Sequence, residues 1–365
     1  MLSVIAVNYN SSALLKECLS SLVSATEDIP AEFIVIDSGS KAEDADNLRT
    51  LEGDNVRVIF SRETISYSTA VNIGVKNTKG DFILITNPDV LYKPDSIKKM
   101  LNALAEFPQC GAVGPRTWWD KNMTFLLPFS APVTPGSILK AEFMRTSGTL
   151  REVIMRRWIR QALKCWLSEK PLEQEMISGA CIMTTRKIFN ITGGFDENFP
   201  LYFEDTDWCL RVRNAGYRLY MLPDAGIIHY YNQSAKQDIS ASQQKYDCSL
   251  SKYLRKHYKN RSYLIRQILR LLHGRQNKMD DLYENKGSLT ISPAFTFKKD
   301  SKKLLLLSPV DTLIPSAGSI IDGTYFEIPK GLWDRLGEGR YFMRAFDIED
   351  LEDCGAWSWV KNRCN

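Results

Sequence analysis

A chain of 365 residues with 44% hydrophobic and 25% charged residues has the composition of an ordinary globular protein and the length for two domains. Eight scattered cysteines without a Cys-x-x-Cys pair, beside only three histidines, exclude a zinc ribbon or a disulfide framework and indicate a reducing compartment. The net charge is a mild +4, and no apolar run approaches the roughly 18 residues that cross a bilayer. The first residues lack the basic region of a signal peptide, so the chain is expected to be cytoplasmic.

The first hundred residues alternate strand and helix patterns. Residues 2–7 form an apolar strand, and Asn10-Ser11-Ser12 caps a helix with Leu14, Leu15, Cys18, Leu19, Leu22 and Val23 at helical spacing. Strands are predicted over 33–36, 56–60 and 81–86, with helices near 41–51, 67–76 and 94–107, and a further strand over 110–113. Such alternation with short connections predicts an α/β fold with a mostly parallel sheet covered on both faces. One clear helix follows over 151–167, with Met155, Trp158, Ile159, Ala162, Leu163 and Trp166 on one face and Arg156, Arg157, Arg160 and Lys164 on much of the rest. Core structure resumes over 176–183, a helix starts near Phe203, and strands over 217–222 and 226–230 close this part. Residues 249–278 are rich in Lys and Arg and carry no acid. Short alternating strands from about 292 onward predict a small β-rich module. The expected division is therefore 1–245 as the main domain, 246–285 as a basic helical extension or linker, and 286–365 as the small module.

Polar motifs stand at strand ends, which in a parallel sheet lie along one edge, where open α/β sheets bind ligands. They are Asn8-Tyr9-Asn10, Asp37-Ser38-Gly39-Ser40 and Asn87-Pro88-Asp89. Pro88 restrains the backbone so that two oxygen-bearing side chains are held near each other, and such oxygens suit Mg²⁺ or Mn²⁺. The same tripeptide also suits a plain turn. A later helix begins Glu204-Asp205-Thr206-Asp207, with His229 downstream on a strand. These acids serve either general-base chemistry or helix capping, and Asp207 has an alternative partner in Arg211 four residues on. Neither Gly-x-Gly-x-x-Gly nor Gly-x-x-x-x-Gly-Lys-Ser/Thr occurs, so a dinucleotide cofactor or P-loop is not indicated.

Taken together, Val7-Asn8-Tyr9-Asn10, Asp37-Ser38-Gly39-Ser40, Ala70-Val71-Asn72-Ile73-Gly74, Asn87-Pro88-Asp89-Val90, Gly193-Gly194-Phe195-Asp196-Glu197, Tyr202-Phe203-Glu204-Asp205-Thr206-Asp207 and His229 give a chain that resembles family 2 glycosyltransferases of the GT-A fold, of the bacterial rhamnosyltransferase-like group. The likeness covers about residues 1–260 and excludes the tail. It implies an inverting, metal-dependent transfer from a pyrimidine nucleoside-diphosphate sugar, with dTDP-rhamnose as the donor suggested by the group. The acceptor would be a lipid-linked glycan of bacterial O-antigen, capsule or other surface polysaccharide. It implies donor contacts at Asn8, Asn10, Asp37, Ser40, Asn72, Asn87 and Asp89, and Mg²⁺ or Mn²⁺ held by Asp89 with His229 and Asn87. Asp205 is implied as the base, with Glu204 beside it. Asn87 replaces the first acid of the family's Asp-x-Asp motif, and this departure weakens direct ligation there. Asp37 also suits an Asx-turn, and His229 a core histidine. A UDP-hexose donor, or a non-catalytic protein binding nucleotide-sugar or glycan, are the alternative readings.

The basic segments suggest a peripheral site on an anionic membrane surface, through apolar faces that include Trp158, Trp166, Tyr253, Tyr258, Tyr263, Leu264, Ile268, Leu269 and Leu272. A solvated basic face over ordinary packing explains them equally. No RNA-binding motif accompanies the charge, so no nucleic-acid partner is expected. For the tail, aromatics including Trp333, Trp357 and Trp359 suggest glycan binding or a homo-oligomer contact.

Overall fold

The computed structural model describes residues 1–53, 55–231, 239–272 and 282–362, the side chains at 239, 241 and 260–272 excepted. The expected apolar face of Tyr263, Leu264, Ile268, Leu269 and Leu272 therefore lies outside the described residues, as does Cys364. The chain divides into two compact units. Unit 1 comprises Met1–Thr117, Ser130–Pro132 and Ser168–Tyr258; unit 2 comprises Trp118–Phe129, Val133–Leu167 and the chain from Lys259 onward.

The amino-terminal part of unit 1 runs β1 (Leu2–Asn8), α1 (Ser12–Ala25), β2 (Ala31–Asp37), α2 (Ala42–Arg49), β3 (Val56–Phe60), α3 (Tyr67–Lys76), β4 (Phe82–Thr86), β5 (Val90–Tyr92), α4 (Ser96–Glu106) and β6 (Cys110–Trp118). Two helices of unit 2 follow, α5 (Pro135–Thr146) and α6 (Gly148–Trp166). Unit 1 then continues with β7 (Leu172–Gln174), β8 (Cys181–Thr185), α7 (Arg186–Ile191), α8 (Glu204–Asn214) and β9 (Arg218–His229). A last helix, α9 (Ile239–Leu272), breaks at Lys259, where φ is 32°.

β1 is buried along its whole length because the sheet has a core on each side. Val4 and Ala6 pack with Leu15, Leu19 and Leu22 of α1, whereas Ile5 and Val7 pack with Ala70 and Val71 of α3. A continuous apolar run is what such a two-sided strand requires. The strand order is β3-β2-β1-β4-β8-β6-β9-β5, with β7 on β9. β1 pairs in parallel with β2 and β4, and β2 with β3. Beyond β4 the direction changes: β4–β8, β6–β8, β5–β9 and β7–β9 are antiparallel. The expectation of a mostly parallel sheet thus describes β1–β4 and stops there. The stretch 176–180, at the start of the core structure expected over 176–183, forms a loop at the carboxyl edge; β8 starts from that edge and runs back along β4.

One further difference concerns the two closing strands expected near the end. They are a single strand, β9, whose Leu219–Met221 portion pairs with β7 and whose Ile227–His229 portion pairs with β5. Pro223 sits between the two portions, where its missing N–H breaks neither of these ladders.

In unit 2 the remaining elements are β10 (Glu284–Leu289), β11 (Ala294–Thr296), β12 (Lys303–Ser308), β13 (Ala317–Ile321), β14 (Tyr325–Glu327), α10 (Lys330–Arg335), β15 (Gly339–Asp347) and β16 (Asp353–Lys361). Five of these strands form a sheet in the order β10-β16-β15-β12-β13. Leu305 and Leu307 of β12 face one core with Trp333, Trp357 and Trp359; Leu304 and Leu306 face another with Met155, Ile159, Ala162 and Trp166 of α6. Two corrections follow from this packing. The three tail tryptophans are 3%, 6% and 0% exposed, so they are core side chains rather than a glycan or subunit face. The apolar face of α6, expected on a membrane, is already covered by its own sheet.

Candidate functional site

The carboxyl edge of the parallel strands gathers the first group of polar residues. Register places Asn8 beside Asp37 and Ala6 beside Thr86, so β1, β2 and β4 end together. Asn8 Nδ2 donates to Asp37 Oδ1 at 3.1 Å, to Ser40 Oγ at 3.1 Å and to Asp44 Oδ2 at 2.8 Å. Asp37 also accepts from the Ser40 backbone N–H at 3.0 Å and the Ser40 hydroxyl at 2.5 Å, which is the Asx-turn geometry. Asn10 sits at φ 50° and accepts the Lys41 N–H at 2.8 Å. These four expected donor-contact residues are therefore held by one another. Asp44, at the start of α2, is the member that sequence reasoning missed. Burial works against its charge, yet the Ser12 hydroxyl, the Asn8 amide and the Ser12 N–H outweigh burial and hold its carboxyl below the ordinary aspartate value. Its place in the first helical turn was the available signal. Tyr9, 43% exposed, leaves an aromatic ring on this edge.

The second group forms where β4 ends. Val90 of β5 pairs with His229 of β9, which brings His229 Nε2 to 3.2 Å from Asp89 Oδ1; both residues are buried. Asn87 is directed elsewhere. Its Oδ1 accepts the Tyr67 hydroxyl at 3.2 Å, a bond the hydroxyl shares with the Gly179 carbonyl at 3.3 Å. Burial first, then the neighbouring Glu204, Asp205 and Asp89, push the Tyr67 hydroxyl well above its usual range. Tyr67 thus stands among all three acids, a role that its position in an ordinary helical pattern did not signal.

Gly179 links this group to the third. Its N–H donates to Asp205 Oδ2 at 2.7 Å, and a Cβ at Gly179 would lie 3.1 Å from that same oxygen, so a side chain there would press on this carboxylate. Asp205 Oδ1 accepts the Thr206 N–H at 2.7 Å and its hydroxyl at 3.3 Å. Immediately before α8, Tyr202 and Phe203 lie at φ 67° and 68°, a left-handed pair of non-glycine residues of the kind that concentrates at functional sites. Glu204 is 6% exposed, and its Oε2 is buried with no hydrogen-bond partner among the described residues. Burial, followed by the adjacent Asp205, pushes its carboxyl up to about 8, and burial raises Asp205 too. The unbonded Oε2 of Glu204 favours its neutral form, while Asp205 is half-buried and held by donors that favour its anion.

Two expected participants have structural tasks. Asn72 Nδ2 donates to the Phe195 carbonyl at 2.8 Å and to Glu197 Oε1 at 2.9 Å, and its Oδ1 accepts the Phe195 N–H at 3.0 Å. Its amide thus braces the Gly193–Glu197 turn. Gly194 lies at φ +67°, and a Cβ there would come within 2.7 Å of Asn72 Oδ1; Gly193, at φ +77°, has open space. Gly194→Ala is expected to destabilise by about 2 kcal/mol or more, adding a disturbed hydrogen bond to the left-handed cost, and Gly193→Ala by about 1–2 kcal/mol from the backbone alone. Thermal melts of the two variants check the difference. Asp207 is fully buried, with Arg211 Nε at 2.8 Å, His257 Nε2 at 2.7 Å and Lys256 Nζ at 2.6 Å. It ties α8 to α9.

Among the described residues no group of three or more His, Cys, Asp or Glu converges as a complete metal cage. The donor set nevertheless fits a divalent cation of the kind that completes its shell with substrate phosphates and water: one carboxylate oxygen and one imidazole nitrogen, 3.2 Å apart at a strand end. Asn87, expected as a third ligand, has its amide oxygen engaged by Tyr67 instead.

Residues 3–158 match the family model described as glycosyl transferase family 2. Over 254 residues the chain is 28% identical to an N-acetylglucosaminyl-diphospho-decaprenol L-rhamnosyltransferase of Mycobacterium tuberculosis, a match spanning 65% of this chain and 78% of that protein. It is 25% identical over 241 residues to the low-salt glycan biosynthesis hexosyltransferase Agl10 of Haloferax volcanii, spanning 65% of this chain and 68% of that one. A shorter match, 26% over 76 residues, links it to the dTDP-rhamnosyl transferase RfbF of Shigella flexneri, covering 21% and 26% of the two chains.

Proposed function

The chain belongs to glycosyltransferase family 2, as a rhamnosyltransferase-like member, and on that premise we propose that it performs an inverting, metal-dependent transfer of a sugar from a pyrimidine nucleoside diphosphate. The acceptor in this reading is a hydroxyl of a lipid-linked glycan in bacterial surface-polysaccharide synthesis, reached from the inner face of the plasma membrane. dTDP-rhamnose is the first donor to test, because two of the similar proteins are named as rhamnosyltransferases. UDP-hexoses are the second.

The observation that carries the proposal is the Gly179 peptide. Its N–H orients Asp205, while its carbonyl and Asn87 share the Tyr67 hydroxyl, so a base and the turn bearing Asp89 are held in one construction. In the transfer, the acceptor oxygen bonds to the anomeric carbon as the bond to the diphosphate breaks. The electron pair leaves with the diphosphate, and the acceptor proton passes to Asp205. Asp37 retains an acceptor site on Oδ2 for a pyrimidine N3–H, and the exposed Tyr9 ring is available to the base. Asp89 and His229 would hold a divalent cation, which when bound neutralises charge growing on the diphosphate. This catalytic work is assigned to residues 1–245.

A thermal-shift screen of sugar nucleotides, followed by donor turnover, tests the function, since a ligand of the native state raises its melting temperature. Tight nucleotide binding without turnover of any donor would favour the non-catalytic reading. For the metal, Asp89→Ala is expected to remove the metal-dependent part of donor affinity. Residues that only hydrogen-bond a metal's ligands are worth about 10–100-fold, so loss of a ligand should cost at least that. Calorimetric titrations with and without Mn²⁺ check it; equal metal dependence in the variant refutes the site.

A further inference from the structure

We propose that the solvent-facing stripe of α6 seats unit 2 on an anionic lipid surface. The inference rests on the lipid-linked acceptor reading only for the choice of partner, and it uses the face of the helix opposite to the one the sequence suggested. Arg151, Met155, Ile159, Ala162, Cys165 and Trp166 are the buried side of α6. On the other side, Leu150, Val153, Arg157, Arg160, Lys164 and Leu167 recur at spacings of three and four and so form one continuous stripe. All six are exposed, the aliphatics by 45%, 44% and 55%.

The chemistry of that stripe is one-sided. Arg157, Arg160 and Lys164 make no ion pair among the described residues. The helix has a single acid, Glu152, which is turned away to Arg344 at 2.8 Å. Three uncompensated cations thus lie between aliphatic side chains at both ends. A bilayer interface takes both groups at once, the cations at anionic headgroups and the aliphatics among the acyl chains. A nucleic acid uses only the cations, because single-stranded bases stack on aromatic rings and this stripe has none. A lone helix stripe also lacks the concave pocket in which a protein partner seats its anchors.

The test uses the full chain in co-sedimentation with phosphatidylcholine vesicles, with and without phosphatidylglycerol. Binding is expected only with phosphatidylglycerol, and is expected to weaken as salt rises. Each cation contributes about fivefold in partitioning, so R157E/R160E/K164E should lower it on the order of a hundredfold with an unchanged melting temperature. L150S/V153S should lower the residual binding at high salt several-fold, since apolar insertion is not screened. Equal binding of wild type to uncharged vesicles, an unaffected triple variant, or tighter binding to an RNA oligomer than to vesicles would each overturn the proposal. Donor hydrolysis without vesicles is expected to be the same in wild type and the triple variant. Absence of turnover with every donor would defeat the transferase reading while leaving the vesicle result intact.

Discussion

Asp205→Asn is expected to lower sugar transfer by about 10²–10⁴-fold while donor affinity stays within about twofold, the range attributed to a positioned general base. Glu204→Gln is expected to remain within about fivefold of wild type at pH 7. The contrast follows from environment. Asp205 is half-buried, and the N–H groups of Gly179 and Thr206, with the Thr206 hydroxyl, favour its anion. Glu204 is buried with Oε2 unbonded among the described residues and its carboxyl pushed up to about 8, so glutamine reproduces its neutral state. The pair titrates as a unit. Burial raises Asp205, so the rising limb of the rate profile should lie above the ordinary aspartate value of about 3.9. Stability runs the other way. The raised Glu204 contributes stability that is fully present below its ordinary value and is lost as pH rises through about 8. Glu204→Gln should flatten that loss. A reversed ranking of the two variants in single-turnover assays would transfer the base role to Glu204.

Asp207→Ala should produce the largest stability loss in unit 1, about 3 kcal/mol. That is the low end for breaking a buried charge cluster, because Arg211 and Lys256 reach solvent when their partner is removed. Arg211 also donates to the Thr192 and Gly194 carbonyls, so α8 and the glycine turn should loosen together. Trp208 is the one tryptophan of unit 1 against seven in unit 2, which makes whole-chain fluorescence a poor reporter of it. Hydrogen exchange resolved over α8 and residues 192–197 measures the local change. Protection within about 1 kcal/mol of wild type would mean that the cluster is dispensable.

Much of unit 1 was legible residue by residue. β3 and α3 lie at their expected limits, Val56–Phe60 and Tyr67–Lys76, because apolar spacing and turn residues are local signals. The polar residues at strand ends were legible as a group for the same reason. Their individual partners were not. Asn72 reads from sequence like Asn8, yet its amide is committed to a turn more than a hundred residues away. Tyr67 looked like any aromatic at a helix start, and Gly179 like any glycine in an apolar run. Each acquires its place from chain segments that approach only on folding.

The amino-acid sequence by itself determined the α/β alternation, the clustering of polar side chains at one sheet edge and the two-faced character of α6, since periodicity and strand ends are properties of neighbouring residues. Tertiary structure alone decided the reversal of strand direction after β4, the pairing of Asp89 with His229, the different surroundings of Glu204 and Asp205, and which face of α6 meets solvent. Each of these depends on what a distant segment buries. A burial that adjacent residues share unequally moves a pKa, satisfies an amide or covers an apolar stripe, and local pattern does not record it.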